Sequence, residues 1–207
     1  MATTSLSLDA LRTGGLESTD PTVVLGRSDL IVALAWPPDD APPTACLAAM
    51  AAGKPVVIIA FGSSSTQGYG ATNPAFSYPS QLKIRLDQAL PGVAVHVFNK
   101  GIGGQDAEEM AARMRSDVRP EQAHLVVWQV GTNSAIRRYP LDKFAERLRA
   151  GIDIGKSLGA EFVLMNLQYV PAIVALPDEV RDLLRELDVA GKRSGGLLAA
   201  AGTLPSG

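Results

Sequence analysis

The stretch at residues 55–68 constrains the fold more than any other part of this 207-residue chain. Six consecutive apolar residues at positions 56–61, rich in β-branched side chains, precede Gly62, three serines, a threonine, a glutamine and Gly68. A short, continuously apolar run of this kind predicts a strand that is buried on both faces, as in a parallel sheet. The hydroxyl side chains would then lie at the carboxyl end of that sheet, where open α/β folds bind their ligands.

Strand and helix patterns alternate along the following residues. Further buried strands are predicted at residues 93–98, 124–130 and 161–167, and helices at residues 46–52, 78–90, 106–118, 141–158 and 178–190. The helix at 141–158 has the clearest apolar face, formed by Phe144, Leu148, Ile152 and Ile154, and Gly159 is placed to cap its end. The alternation predicts a three-layer α/β/α, flavodoxin-like fold with a parallel sheet of four or five strands and right-handed crossovers.

Composition divides the chain into three parts. Residues 1–45 are rich in Thr, Ser, Gly and Pro and predict a weakly structured leader. Residues 46–190 carry the alternating pattern and form the predicted α/β domain. Residues 191–207 form a Gly- and Ala-rich tail of low complexity, which would be a frayed strand or have no ordered structure.

Charge and cysteine content exclude several classes of function. The formal net charge is −2, so no basic field would recruit nucleic acid. Cys46 is the only cysteine, which excludes an internal disulfide and a cysteine-based zinc site, and it is interpreted as a small buried thiol. No metal site and no cofactor is expected from the sequence.

Hydropathy predicts neither a membrane span nor a signal peptide. No apolar run approaches the roughly 20 residues that a bilayer crossing needs. The first 20 residues have no basic segment followed by an apolar one, so a cytoplasmic protein is expected by default. The apolar residues 30–36 follow Arg27, and would favour a periplasmic or secreted protein if the start codon is misassigned.

Each of the three loops after the predicted strands is weak evidence when taken alone. Residues 62–68 lack the spacing and the Lys-Ser/Thr pair of a phosphate-binding loop, which argues against a flavodoxin-like nucleotide binder. The Gly-Ile-Gly of residues 101–103 has Asp106 where a dinucleotide fingerprint needs a third glycine. Residues 62–66 also lack the last glycine of a Gly-x-Ser-x-Gly nucleophile elbow.

The three loops together, in this order, resemble the SGNH (GDSL-type) esterase and lipase superfamily from about residue 54 to residue 178. The first block of the family matches Gly-Ser-Ser-Ser-Thr-Gln-Gly at 62–68, the second Asn-Lys-Gly-Ile-Gly-Gly at 99–104, and the third Gly-Thr-Asn-Ser at 131–134. The Phe-Gly-Ser-Ser-Ser-Thr wording looks like a bacterial branch in which Ser63 replaces the aspartate of the motif. Ser134 likewise stands where the third block has aspartate.

The resemblance implies ester hydrolysis, with Ser64 as the nucleophile that attacks a carbonyl. It also implies an oxyanion hole formed by the backbone N–H groups of Ser64 and Gly104 and the side-chain amide of Asn133. Glycine at 104 would let the main chain approach the reacting atom. The implied substrate is an acyl ester, including an acylated carbohydrate. The alternative interpretations are a turn residue for Ser64 and a turn or helix-cap residue for Asn133.

The chain departs from the family at the catalytic base. The family takes its histidine from an Asp-x-x-His block near the carboxyl end, and no aspartate here has a histidine three residues later. At about 3.3 Å per strand residue, His96 would lie roughly 10 Å and His124 roughly 20 Å from the loops, whereas a general base must lie within about 3 Å. Both histidines are therefore interpreted as strand residues.

Loss of the triad histidine can lower kcat on the order of a millionfold. The sequence therefore predicts an SGNH hydrolase that is impaired, unless another subunit supplies the base. An early stop or a frameshift after about residue 190 is one hypothesis for the missing block. The alternative function is a catalytically inactive binding module that keeps the cleft for an acylated sugar or lipid.

Overall fold

The computed structural model describes residues 44–119, 121–165, 167, 177–194 and 197–199. Its centre is a parallel sheet of five strands in the order β2-β1-β3-β4-β5. The strands are β1 Val56–Gly62, β2 Val95–Gly101, β3 Leu125–Gln129, β4 Glu161–Met165 and β5 Leu197–Ala199. The predicted parallel α/β fold is confirmed, and β5 lies in the tail that was expected to be a frayed strand or unordered.

The helices agree with the sequence prediction except for two short ones. Of the leader predicted at residues 1–45, residues 1–43 lie outside the described residues, as do the last residues of the tail, whereas residues 44–45 belong to the first helix. The helices are α1 Thr44–Ala51, α2 Ser64–Gln67, α3 Tyr78–Ala89, α4 Ala107–Val118, α5 Thr132–Ile136, α6 Leu141–Ser157 and α7 Pro177–Ser194, with a 3-10 turn at Pro74–Phe76. Neither α2 nor α5 was predicted, because four or five residues are too few for a helical period to show.

The sheet is covered on both sides, which makes three layers. Side chains of β1, β3 and β4 alternate between two apolar clusters, as the period of two requires. One cluster joins the sheet to α4, α6 and α7 through residues such as Phe61, Trp128, Phe162, Met114, Leu148 and Leu187. The other joins it to α1 and α3 through residues such as Ile58, Val127, Met165, Cys46 and Leu82.

Strand β1 lies near the middle of the sheet, between β2 and β3. Its register pairs Gly62 with Gly101 on β2 and Phe61 with Trp128 on β3. All of its residues are buried except Val57, which is half-buried. Because every strand is parallel, the loops that carry the three motifs meet at the carboxyl edge of the sheet.

Helix α6 approaches the sheet closely because it has glycines where two aromatic rings pack. A Cβ at Gly151 would lie 2.5 Å from the Trp128 ring, and one at Gly155 would lie 2.3 Å from the Phe162 ring. The predicted face of Phe144, Leu148 and Ile152 is buried in the same cluster. The helix ends at Ser157 with Leu158 as its C-cap, and Gly159 follows with a φ of 86°, as its predicted role at the helix end requires.

Cys46 is buried and His96 lies on a strand, as the sequence predicts, whereas His124 lies one residue before the strand that it was expected to begin. Burial raises the pKa of the Cys46 thiol to about 12, and the side chain is 6% exposed. His124 precedes β3, where its Nδ1 accepts a 3.0 Å hydrogen bond from the Val57 N–H. His96 lies on β2 with its side chain exposed, and its ring is tilted against Phe98.

None of the helices in the described ranges combines the length and the apolar composition that a bilayer crossing requires.

The packing of Trp128 on α6 predicts the outcome of Gly151→Ala. In an exposed helix this substitution would stabilise by about 1 kcal/mol. Here the added methyl group displaces a fully buried ring, and we expect the free energy of unfolding to fall by about 1–2 kcal/mol. Urea unfolding measures the change, with Asp153→Ala at an exposed position of the same helix as the control. A midpoint at or above that of the wild type would contradict the packing argument.

Candidate active site

Ser64 begins helix α2 directly after β1 ends. Ser63 is the N-cap residue, and the helix closes at Gly68, whose φ of 102° is in the left-handed region and whose N–H donates to the Ser64 carbonyl. The N–H of Ser64 lies in the first turn, where a helix provides no internal acceptor. The Ser64 side chain is half-buried, and within the described part of the chain its hydroxyl has no hydrogen-bond partner.

The loops after β1 and β2 pack backbone against backbone. A Cβ at Gly62 would lie 2.1 Å from Thr66 Oγ1, and a Cβ at Gly101 would lie 2.1 Å from the backbone nitrogen of Gln67. Only glycine fits at either position without moving the end of α2. The glycines at the ends of β1 and β2 therefore set how closely Ser64 approaches the second loop.

Asn99 fastens the second loop to the first. Its Oδ1 accepts a 2.9 Å hydrogen bond from the Gly101 N–H, and its Nδ2 donates to the Gln67 carbonyl at 3.4 Å. The Ile102 N–H donates to the Gly62 carbonyl at 3.1 Å. The asparagine of the second motif thus has a structural role that the sequence did not assign.

Gly103 and Gly104 lie in the exposed turn beside Ser64. A Cβ at Gly103 would lie 3.9 Å from the Cβ of Ser64, which places the second loop next to the predicted nucleophile. Gly104 has a φ of 80°, and a Cβ there would meet no atom within 4 Å. The positive φ gives a reason for glycine at 104 that the sequence argument did not name, and the approach of the main chain to the reacting atom stays a prediction.

Asn133 lies inside α5, after a helix cap that Gly131 forms with a φ of 113°. Its Nδ2 donates to the Gln105 carbonyl at 2.8 Å, which leaves the second N–H of the amide for another acceptor. The side chain is half-buried and faces the second loop through this bond. The helix-cap interpretation does not describe Asn133, because the cap is Gly131.

Ser134 connects the third loop to the start of α4. Its side chain is fully buried, and its Oγ accepts a hydrogen bond of 3.3 Å from the Ala107 N–H. Asp106 caps the same helix by accepting from the N–H groups of Glu108 and Glu109, and Glu109 accepts from the Asp106 N–H in return. The two loops are thus joined at the beginning of α4.

Arg137 also joins these loops, and sequence reasoning missed it. Its Nη2 donates to the Gly104 carbonyl at 2.7 Å, and its Nη1 donates to Asp106 at 2.8 Å and to Glu109 at 3.2 Å. The hydrogen bond to Asp106 and then that to Glu109 raise the pKa of Arg137 above its usual value. A lone arginine after a short motif looks like a surface charge in the sequence, and only its distance of four residues from Asn133 could have drawn attention to it.

Arg113 is a second arginine that the sequence analysis overlooked. It extends from α4 beneath the loops, with its side chain 13% exposed and its guanidinium 4.1 Å from the centre of the Phe61 ring. It donates to the carbonyls of Gly62 and Lys100, both at 2.9 Å, and to Gln105 Oε1. Burial lowers its pKa, and an ion pair with Asp117 opposes that shift. In the sequence, only its position between Met110 and Met114 on the apolar face of the helix indicates that this arginine is partly buried.

The two histidines are not brought to this edge. His124 lies before the first residue of β3, and His96 is the second residue of β2, so both belong to the amino half of the sheet. A concavity of about 440 Å³ at that opposite edge is lined by Val118, Arg119, Gln122, Ala123, His124, Leu158 and Gly159. It is remote from Ser64. Within the described ranges, no three His, Cys, Asp or Glu side chains form a group that could hold a metal ion.

Four large apolar side chains are exposed on the loops around Ser64. Tyr69 and Phe76 follow α2, Ile102 belongs to the second loop, and Ile136 belongs to α5. We call these four residues the apolar rim. All four belong to segments that follow the carboxyl ends of β1, β2 and β3, so the apolar rim lies on the same edge of the sheet as the motifs.

Comparison with known proteins gives both a family and a fold. Residues 38–197 match the non-GDSL lipase-like family. None of the curated proteins matches the chain. The structure is similar to AlinE4, an SGNH-hydrolase family esterase, with a TM-score of 0.61 and 20% sequence identity over 70% of this chain and 75% of that one.

Two further solved structures share the fold. The psychrotrophic esterase EstA from Pseudoalteromonas sp. has a TM-score of 0.61 and 17% identity, over 70% of this chain and 76% of that one. A catalytic mutant of the acetylxylan esterase Axe2 from Geobacillus stearothermophilus has a TM-score of 0.58 and 22% identity, over 70% of this chain and 74% of that one. The expected resemblance to SGNH hydrolases is confirmed for the superfamily and the fold.

The contacts of Arg113 predict that Arg113→Met destabilises the protein although methionine fills similar space. The substitution leaves the carbonyls of Gly62 and Lys100 and the carboxylate of Asp117 without this donor. Because these groups are partly buried, we expect the free energy of unfolding to fall by about 2–4 kcal/mol. The matched control is Arg115→Met on the exposed face of α4, which should change it by less than about 0.5 kcal/mol. Equal urea midpoints for the two variants would show that Arg113 does not hold the loops.

Proposed function

Because this chain belongs to the non-GDSL lipase-like family, we propose that it is a serine hydrolase of carboxylic esters with Ser64 as its nucleophile. The observation that carries the proposal is the connection of the three motif loops at one edge of the sheet. Ser64 lies beside Gly103, and the amide of Asn133 donates to the neighbouring Gln105 carbonyl. These contacts support a shared position for the nucleophile and the candidate oxyanion donors.

In the proposed reaction, the hydroxyl oxygen of Ser64 attacks the ester carbonyl carbon and its proton passes to a base. The carbonyl oxygen becomes an oxyanion, which accepts hydrogen bonds from the N–H groups of Ser64 and Gly104 and from the free N–H of Asn133. Removing one such donor typically costs about 3–4 kcal/mol of barrier. The intermediate expels the alcohol, and water then hydrolyses the acyl-serine.

The base is the part of this reaction that the described residues do not supply. His96 and His124 lie toward the amino edge, and the Ser64 hydroxyl has no hydrogen-bond partner in the described part of the chain. A serine without its base loses on the order of a millionfold in kcat. We therefore propose that the chain as given is a slow hydrolase, and that a base added from outside accelerates it.

The second candidate function is a binding module that retains the cleft and catalyses nothing. It is favoured by the lack of a hydrogen-bond partner for the Ser64 hydroxyl among the described residues, since a hydroxyl that no base contacts is a poor nucleophile. Its ligand would be an acylated sugar or lipid. The two candidates differ in one respect that can be measured, because only the hydrolase forms a covalent bond at Ser64.

The apolar rim supports an uncharged ester with an apolar acyl chain as the substrate. Ile102 is 45% exposed between two glycines of the second loop, and Phe76 is 51% exposed after α2. Covering such side chains with a hydrocarbon chain removes apolar surface of both partners from water. An acylated carbohydrate is the alternative substrate, since the similar structure of Axe2 belongs to an acetylxylan esterase.

Imidazole rescue tests the nucleophile and the missing base together. Because Ser64 is half-exposed, added imidazole can reach its hydroxyl and act as the base. We expect the rate at which the wild type hydrolyses p-nitrophenyl butyrate to rise with imidazole concentration and to exceed the rate of Ser64→Ala by at least about tenfold. The Ser64→Ala rate measures the catalysis by imidazole in solution. Ser65→Ala, at the neighbouring serine, should behave as the wild type. Equal rates for the wild type and Ser64→Ala at every concentration would contradict the hydrolase and favour the binding module.

The apolar rim predicts how the rate depends on acyl length. A fully buried methylene contributes about 0.8 kcal/mol, or about fourfold in rate, and we expect roughly half of that energy on an exposed rim. Under the imidazole conditions, kcat/KM should thus rise about 15-fold over the four methylenes that separate the acetyl from the hexanoyl ester. Ile102→Ser should flatten this rise, whereas Ile84→Ser, a similarly exposed isoleucine on α3, should not. A preference for the acetyl ester would favour the acylated carbohydrate.

A further inference from the structure

Helix α5 holds two consecutive carbonyls of the second loop. Asn133 donates to the carbonyl of Gln105 at 2.8 Å, and Arg137 donates to the carbonyl of Gly104 at 2.7 Å. The two side chains are one helical turn apart, and the Arg137 N–H donates to the Asn133 carbonyl at 2.9 Å. The spacing of the two donors is therefore fixed by the helix.

The guanidinium of Arg137 is also fixed from the other side. Its Nη1 donates to Asp106, which is nearly buried and caps α4, and to Glu109 in the first turn of that helix. One planar group thus connects α5, the second loop and the start of α4. Lysine could not reproduce this arrangement, because a guanidinium presents several donors in a rigid plane and an ammonium group is a point charge.

The second loop depends on such contacts for its shape. Gly103 and Gly104 are exposed and have no side chains to pack, and Gly104 has a φ of 80°. A glycine pair of this kind visits many backbone conformations unless hydrogen bonds restrict it. The donor to the Gly104 carbonyl fixes the Gly104–Gln105 peptide, which is joined through the Gly104 Cα to the peptide that carries the Gly104 N–H and so restricts where that N–H can lie.

We propose that Arg137 is a positioning residue that keeps the Gly104 N–H and the Asn133 amide aimed at the same oxyanion. This inference rests on the proposed function, because it assigns both groups to the oxyanion hole. Arg137 positions the two donors and adds little to the overall stability of the fold. Arg137 is 49% exposed, and ion pairs at such exposure contribute little to folding.

A boronic acid tests the inference without requiring turnover. Boron accepts the hydroxyl oxygen of Ser64 to form a tetrahedral, negatively charged adduct, and the hydroxyl proton is released to solvent. The adduct resembles the intermediate of ester hydrolysis, so its affinity depends on how the oxyanion donors are aimed. The dissociation constant of phenylboronic acid is measured at a fixed pH for the wild type, Arg137→Gln and Arg137→Lys, together with the thermal midpoint of each.

We expect Arg137→Gln to raise the dissociation constant of phenylboronic acid about tenfold and Arg137→Lys to recover part of that loss of affinity. The thermal midpoints of both variants should lie within about 2 °C of that of the wild type. The matched variant Arg115→Gln, which removes an exposed arginine elsewhere on the surface, should bind as the wild type does.

The outcomes separate the inference from the function on which it rests. If the wild type binds phenylboronic acid no better than Ser64→Ala does, the proposed function fails and the inference fails with it. If the wild type binds through Ser64 and Arg137→Gln binds equally well, the inference alone is overturned. A fall of more than about 5 °C in the thermal midpoint of Arg137→Gln would also overturn it, by showing that Arg137 serves folding.

Discussion

The parallel pairing of β1 with β2 and β3 is the constraint on which the rest of this structure depends. It aligns Gly62 with Gly101 and Phe61 with Trp128, so that the chain leaves three neighbouring strands at one edge. Polar groups that are far apart in the sequence meet there. The apolar clusters on the two faces stabilise the pairing, since each buries the side chains of alternate strand positions.

That edge is held by hydrogen bonds to backbone carbonyls more than by apolar packing. The loops consist largely of glycine, serine and asparagine, which bury little apolar surface. Arg113 holds the ends of β1 and β2 from below, and Arg137 holds the second loop from the side. A carbonyl is an acceptor in every residue, so a guanidinium can fix a loop whose own side chains provide no contacts.

The sequence predicted the strands and the long helices because burial imposes a period on many residues at once. It predicted neither α2 nor α5, whose few residues carry no period. It did not predict the backbone angle of Gly104, since a positive φ leaves no mark on the sequence beyond the glycine itself. The two arginines were missed because their partners are backbone atoms, which every residue possesses and no motif encodes.

The amino-acid sequence by itself determined the α/β class, the order of the motif loops and the absence of an Asp-x-x-His block, since each follows from residue types and their local spacing. Only the tertiary structure decided that Ser64 lies beside Gly103, that Asn133 reaches Gln105 and that Arg137 joins two helices to one loop. The physical reason is that these contacts join residues about 30 or 40 positions apart. Their distances are set by the pairing of the strands, and no local pattern records them.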